Sequence, residues 1–145
     1  MNPNPKEYND NNHIQLKDAE IIFAMIKKDF GPDAQFKTVI DIGCGTGNVT
    51  LNFLKSAQCD QLIAFDKNKV LVEFARENNK SGEVTYEVAD ISDDFKKLQF
   101  DIKLAEKADL VFSIYCLQWI NDKAKAFNNI SGLLKPGKVK LVVLL

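Results

Sequence analysis

Glycines stand at positions 43, 45 and 47 in "VIDIGCGTGNVT" (residues 39–50), between a β-branched run and a stretch of helical pattern. Glycines at a strand-to-helix joint let a ligand approach the backbone N–H groups at a helix N-terminus. The dinucleotide fingerprint GxGxxG would need a glycine at 48, where Asn48 stands. Asp41 lies just ahead of the loop. A carboxylate there repels a pyrophosphate and attracts an ammonium group. Asp66 ends "QLIAFD" (61–66), where a carboxylate can accept hydrogen bonds from both hydroxyls of an unphosphorylated ribose. Asp90 ends "EVTYEVAD" (83–90), where it can accept from an exocyclic adenine amine.

An amino-acid end, a free ribose and an adenine together describe S-adenosylmethionine. The elements needed to converge these residues are legible. "FKTVIDI" (36–42), 61–66, 83–90, "ADLVFSIY" (108–115) and "KVKLVVLL" (138–145) read as five strands. Helices read over 16–30, where Ala19, Ile22, Phe23, Ile26 and Phe30 share a face, and then from Asn48, from Asn68 and over 122–134. Asn48 is expected to cap its helix, and the charged link after Asp90 to hold a short helix. Strands alternating with helices predict a doubly wound parallel α/β sheet, with the ligand at the carboxyl ends of the strands. The first 15 residues read as a flexible segment and 16–145 as one cofactor-binding domain. An apolar strand at the very end is an aggregation hazard on an open sheet edge, so the domain is expected to be incomplete after its fifth strand.

Composition narrows the function. Nineteen Lys and Arg against 20 Asp and Glu give a net charge of −1, which argues against nucleic-acid binding driven by charge. Arg76 is the one arginine, so bidentate recognition of phosphate has little to work with. No signal peptide or membrane-length apolar run is visible. Cys44, Cys59 and Cys116 form no CxxC pair and read as free thiols of a reducing cytoplasm. One histidine, His13, gives no redundancy for a metal site or a catalytic triad.

"VIDIGCGTGN", the two acidic strand ends and "ADLVFSIYCLQWI" resemble the class I S-adenosylmethionine-dependent methyltransferases, whose sheet is Rossmann-like. The resemblance implies cofactor contacts from Asp41, Gly43, Cys44, Gly45, Asp66, Lys67, Asp90, Ile91 and Ser113. "YNDNNHIQLKDAEIIF" and "SIYCLQWINDKAKAFNNISGLLKPG" are similar to the juvenile hormone acid O-methyltransferases. That likeness implies methyl transfer to the carboxylate of a farnesoic acid or juvenile hormone acid type of molecule. Gln15 and Trp119 fall where that family holds the carboxylate. A carboxylate is already ionised at neutral pH, so no general base and no metal are expected. The expected partner is a small-molecule carboxylic acid, met by a monomeric chain.

Plainer readings stand beside these. The glycines could serve only a tight turn, and Asp66 could be a solvated turn residue. Cys44 reads as a small turn residue with no base near it, Cys116 as packing, and Trp119 as either pocket wall or core cap. Two rival functions remain open, methylation of another kind of small molecule and cofactor binding without catalysis.

Overall fold

The computed structural model describes residues 4–137 and 140–145. The readings for residues 1–3, and for 138 and 139 in the last strand, lie outside the described residues. Five parallel strands form one sheet: β1 (Gln35–Ile42), β2 (Gln58–Asp66), β3 (Val84–Val88), β4 (Leu110–Ile114) and β5 (Lys140–Leu144). Their spatial order is β3-β2-β1-β4-β5. The chain moves outward from β1 through β2 to β3, then crosses back to place β4 on the other side of β1. That reversal opens a crevice at the carboxyl ends of β1 and β4.

Alternation along each strand builds two cores. Val39, Leu62, Ala64, Leu110 and Phe112 face one layer, made by α2 (His13–Phe30), α3 (Asn48–Ser56) and α4 (Lys69–Asn78). Ile40, Ile42, Ile63, Phe65 and Val111 face the other, which receives α5 (Phe95–Asp101) and α6 (Lys123–Leu133). The charged link thus holds its short helix, with Asp94 capping it by accepting from the N–H groups of Lys96 and Lys97.

The carboxyl-terminal half of α2 is fixed by rings. Phe23 meets Phe53 of α3 and Phe112 of β4 edge-on, with centroids 5.2 Å apart in both cases, and Phe30 meets Phe36 at 4.9 Å. Edge-to-face pairs add to the stabilisation from burial.

Three local expectations need correction. Residues 5–10 are not loose but form α1 (Pro5–Asp10), and α2 begins at His13. The reason is a capping arrangement in "NPKEYND": Asn4 accepts from the N–H groups of Lys6 and Glu7, and proline occupies the first helical turn. Asn48 does not cap α3; Gly47 takes that position at φ +85°, and its missing Cβ leaves room for the Tyr86 hydroxyl. Asp90 lies beyond the end of β3 rather than at it.

Candidate cofactor and acceptor site

The glycine loop is strung over the end of β2. The N–H groups of Gly43 and Cys44 both donate to the Phe65 carbonyl, at 2.8 and 3.0 Å. Gly45 N–H donates to Asp66 Oδ2 at 3.0 Å, while Asn68 N–H donates to Oδ1 at 2.8 Å. Each Asp66 oxygen keeps a further lone pair, so the carboxylate shapes the loop and still has acceptor capacity toward the crevice. A Cβ on Gly43 would collide with Cys116, which follows β4. The two strand ends that bound the crevice therefore touch through a glycine and a thiol.

Asp41 is buried at 2 % exposure and accepts from Thr50 Oγ1 at 2.6 Å. Burial pushes its carboxyl up to about 7, although the Thr50 hydroxyl opposes the rise and Asp66 adds to it. Burial would raise Asp90 as well, but the Ser92 hydroxyl and N–H, with Lys67 and Lys97, hold it below the usual carboxylate range. Ser92 uses only Asp90 Oδ1, leaving the second oxygen open.

These groups line two cavities. The larger, about 270 Å³, is walled by Asp66, Lys67, Asp90, Ile91, Cys116 and Trp119, among others. The smaller, about 20 Å³, is walled by Asn12, Gln15, Asp41, Cys44 and Thr46, among others. Tyr8, Gly43 and Ile114 line both. The Tyr8 ring stands over the loop, 3.3 Å from where a Gly45 Cβ would lie. Burial, and then the nearby Asp66 and the thiols of Cys116 and Cys44, raise the Tyr8 phenol, so it stays protonated.

The donor set fits an adenosyl amino acid. Asp41 faces the smaller cavity as a potential ammonium partner, and Thr46 Oγ1 is buried there without a hydrogen-bond partner. Asp66 and Asp90 face the larger cavity. Of the residues read from sequence, Ser113 and Gly45 line neither cavity: the Ser113 hydroxyl donates to the Ile42 carbonyl inside the sheet, and the Gly45 N–H donates to Asp66, so Gly45 shapes the loop. Gln15 and Trp119 are not brought to a shared cavity, and Trp119 is 76 % exposed. Sequence reasoning missed Tyr8, Asn12 and Thr46. The capping pattern around Pro5 is what could have placed Tyr8 on a helix.

After β4 the backbone turns sharply at Tyr115, which takes φ +54°. Its hydroxyl donates to Asp18 of α2, and its N–H donates to the Leu144 carbonyl of β5. Among the described residues no helix is long and apolar enough to cross a membrane.

The family described as methyltransferase domain matches residues 39–137. The chain is 37% identical to the juvenile hormone acid O-methyltransferase of Bombyx mori over 98 residues, covering 66% of this chain and 34% of that protein. It is 31% identical to the malonyl-[acyl-carrier protein] O-methyltransferase of Hahella chejuensis over 100 residues, covering 68% of this chain and 33% of that one. The chain thus spans about a third of the length of these relatives. An S-adenosyl-L-methionine-dependent methyltransferase assigned in Methanococcus maripaludis has a similar fold, with a TM-score of 0.75 at 23% identity, covering 99% of this chain and 66% of that one. The N-methyltransferase NodS of Bradyrhizobium japonicum, solved with S-adenosyl-L-homocysteine, gives 0.69 at 18% identity, covering 92% and 63%. The glycine loop, the acidic strand ends and the reversed sheet order lie in the matched region, and the chain belongs to the methyltransferase domain family, with the fold of the class I S-adenosylmethionine-dependent enzymes.

Proposed function

We propose that the protein binds S-adenosylmethionine in the crevice and transfers its methyl group to the carboxylate of a small apolar acid. The observation that carries this reading is the placement of Asp41, Asp66 and Asp90 around one glycine loop, facing two cavities that meet at Gly43. Asp41 would hold the ammonium end, Asp66 the ribose hydroxyls and Asp90 the adenine amine, with Lys67 and Ile91 as walls. The cofactor supplies an electrophilic methyl for in-line displacement by a carboxylate oxygen.

The chain's own residues would align the acceptor and keep water out. Gln15 offers amide donors and Trp119 an indole N–H. Neutral donors orient an anion while leaving its oxygen nucleophilic. Holding nucleophile and methyl in line can contribute roughly 7–11 kcal/mol. The likeness to the juvenile hormone acid and malonyl relatives, both named O-methyltransferases, supports an acidic acceptor, and we take a farnesoic or juvenile hormone type of acid as the first candidate.

A methyl-transfer assay tests the acceptor, with long apolar acids beside the matching alcohols and amines. Ester formation from the acids alone is expected; equal activity on alcohols or amines would remove the carboxylate assignment. The placement of Gln15 and Trp119 on different cavities favours a second reading, cofactor binding without catalysis. Binding of S-adenosylhomocysteine with no transfer to any acceptor would select it.

A further inference from the structure

We propose that Asn129 of α6 is the positioning residue of the adenine site: it holds the turn that carries Asp90 and Ile91, and so fixes which purine the free Asp90 oxygen accepts from. The inference rests on the assignment of the crevice to S-adenosylmethionine. Three observations lead to it.

The first is the hold itself. Asn129 is buried and lines neither cavity. Its Nδ2 donates to the Ile91 carbonyl at 2.7 Å and to the Asp93 carbonyl at 2.8 Å. Both protons of one amide are thereby committed to one turn. A buried amide or carbonyl left unpaired is costly, so side chain and turn keep each other in place.

The second is the turn. Asp93 N–H donates to the Asp90 carbonyl at 3.1 Å. Ser92 donates to Asp90 Oδ1 from its N–H at 2.9 Å and from its hydroxyl at 2.6 Å. These bonds aim the Asp90 carboxylate within the turn; they do not fix the turn against the rest of the molecule. Asn129, 36 to 38 residues further along the chain, supplies a directional tie to another element. Asp90 and Ile91 both line the larger cavity, so a shift of the turn is a shift of the wall.

The third is the frame. Ala126, Ile130 and Leu133 bury one face of α6 in the core, so the helix does not follow the turn. Its first residue, Lys123, donates from Nζ to the Ile120 carbonyl at 2.8 Å, and Ile120 lines the same cavity. Gly132 stands one turn after Asn129, where a Cβ would lie 2.7 Å from the Phe95 ring. Glycine weakens a helix interior. Here it lets Phe95, and the turn just ahead of it, approach α6 within reach of an asparagine. One helix thus sets two walls of the cavity.

The chemical consequence is selectivity for the base. A fixed carboxylate accepts from the 6-amino group of adenine and repels the 6-oxo group of hypoxanthine. A carboxylate on a loose turn can withdraw from that oxygen or slide to the neighbouring N1–H, and the preference is lost.

The test titrates the 145-residue chain with S-adenosylhomocysteine and with S-inosylhomocysteine, which differs by an oxo group in place of the amine. Wild type should prefer the adenine ligand at least tenfold. Asn129→Leu and Asn129→Ala should each cut that preference at least fivefold, and the alanine variant decides if the leucine variant does not fold. Gly132→Ala, which crowds Phe95 and leaves Asn129 in place, should lower the preference in the same direction. Asn128→Leu, at the exposed neighbouring position, should keep it. Variants of Asn129 that weaken both ligands by the same factor would overturn the inference, since Asn129 would then serve packing alone. Wild type that binds both ligands equally would overturn it by taking Asp90 out of base recognition. Wild type that binds neither overturns the cofactor reading itself.

Discussion

The two ends of α2 are held by opposite kinds of chemistry. The carboxyl-terminal half inserts Phe23 and Ile26 into a core with Phe53 and Phe112. The amino-terminal half, with α1 ahead of it, is tied by polar side chains: Asn12 to Asn48, Glu20 to Asn52, and Asp18 to Tyr115. Burial of rings is non-directional and cooperative with the whole fold. Side-chain hydrogen bonds at half-exposed sites are directional and individually small. The first kind fixes a helix; the second lets one end of it respond to what lies beneath.

The largest effect expected from this contrast is at the ring cluster. Phe23→Ala should destabilise the protein by roughly 3–5 kcal/mol, since a fully buried ring leaves a cavity. Chemical denaturation checks this, and a loss under 1 kcal/mol would mean that α2 is not anchored by its rings.

Next in size is the pH response of Asp41. Its carboxyl is raised from an ordinary 3.8 to about 7 by burial. A folded-state value above the unfolded one means stability is full below about pH 4 and is lost as pH rises toward 7. Asp41→Asn should therefore melt higher than wild type near pH 7, and the gap should close as pH falls to 4. An ammonium ligand needs the ionised form, so wild-type affinity for S-adenosylhomocysteine should rise with pH up to about 7. The variant should bind at least tenfold more weakly with a flatter profile. Calorimetry across that range, finding equal profiles for the two proteins, would detach Asp41 from the ligand.

Asp66→Ala should weaken S-adenosylhomocysteine by on the order of 2 kcal/mol, as ribose hydroxyls lose a charged acceptor. Titration calorimetry that gives unchanged affinity would leave Asp66 with only its role in shaping the loop. The smallest effect belongs to the asparagines. Asn79→Ala should change overall stability by roughly 1 kcal/mol or less. A loss comparable to that of Phe23→Ala would erase the distinction between the two ends of α2.

Periodicity made the sheet and most helices legible, because their burial patterns repeat over many residues. Asp41 and Asp66, in the last residues of β1 and β2, were legible for a different reason: a carboxylate next to a glycine loop excludes one ligand class and suits another. What escaped was short or distributed. α1 spans six residues with no apolar face, so only its cap could reveal it. The asparagine cluster joins positions 9, 12, 48 and 79, and no local pattern links them. Asn48 was misread because its amide serves tertiary contacts while Gly47 takes the cap.

Tyr115 carries a last consequence. A side-chain-bearing residue at φ +54° costs roughly 1–2 kcal/mol relative to an ordinary conformation. Glycine would relieve that cost, yet it would also remove the hydroxyl that reaches Asp18. The crossing after β4 thus behaves as a loaded spring, pinned through Leu144 of β5 on one side and α2 on the other. The next residue, Cys116, places its thiol where a Gly43 Cβ would stand, so the strained turn after β4 and the glycine at the end of β1 must fit together, which leaves no side chain but hydrogen at position 43.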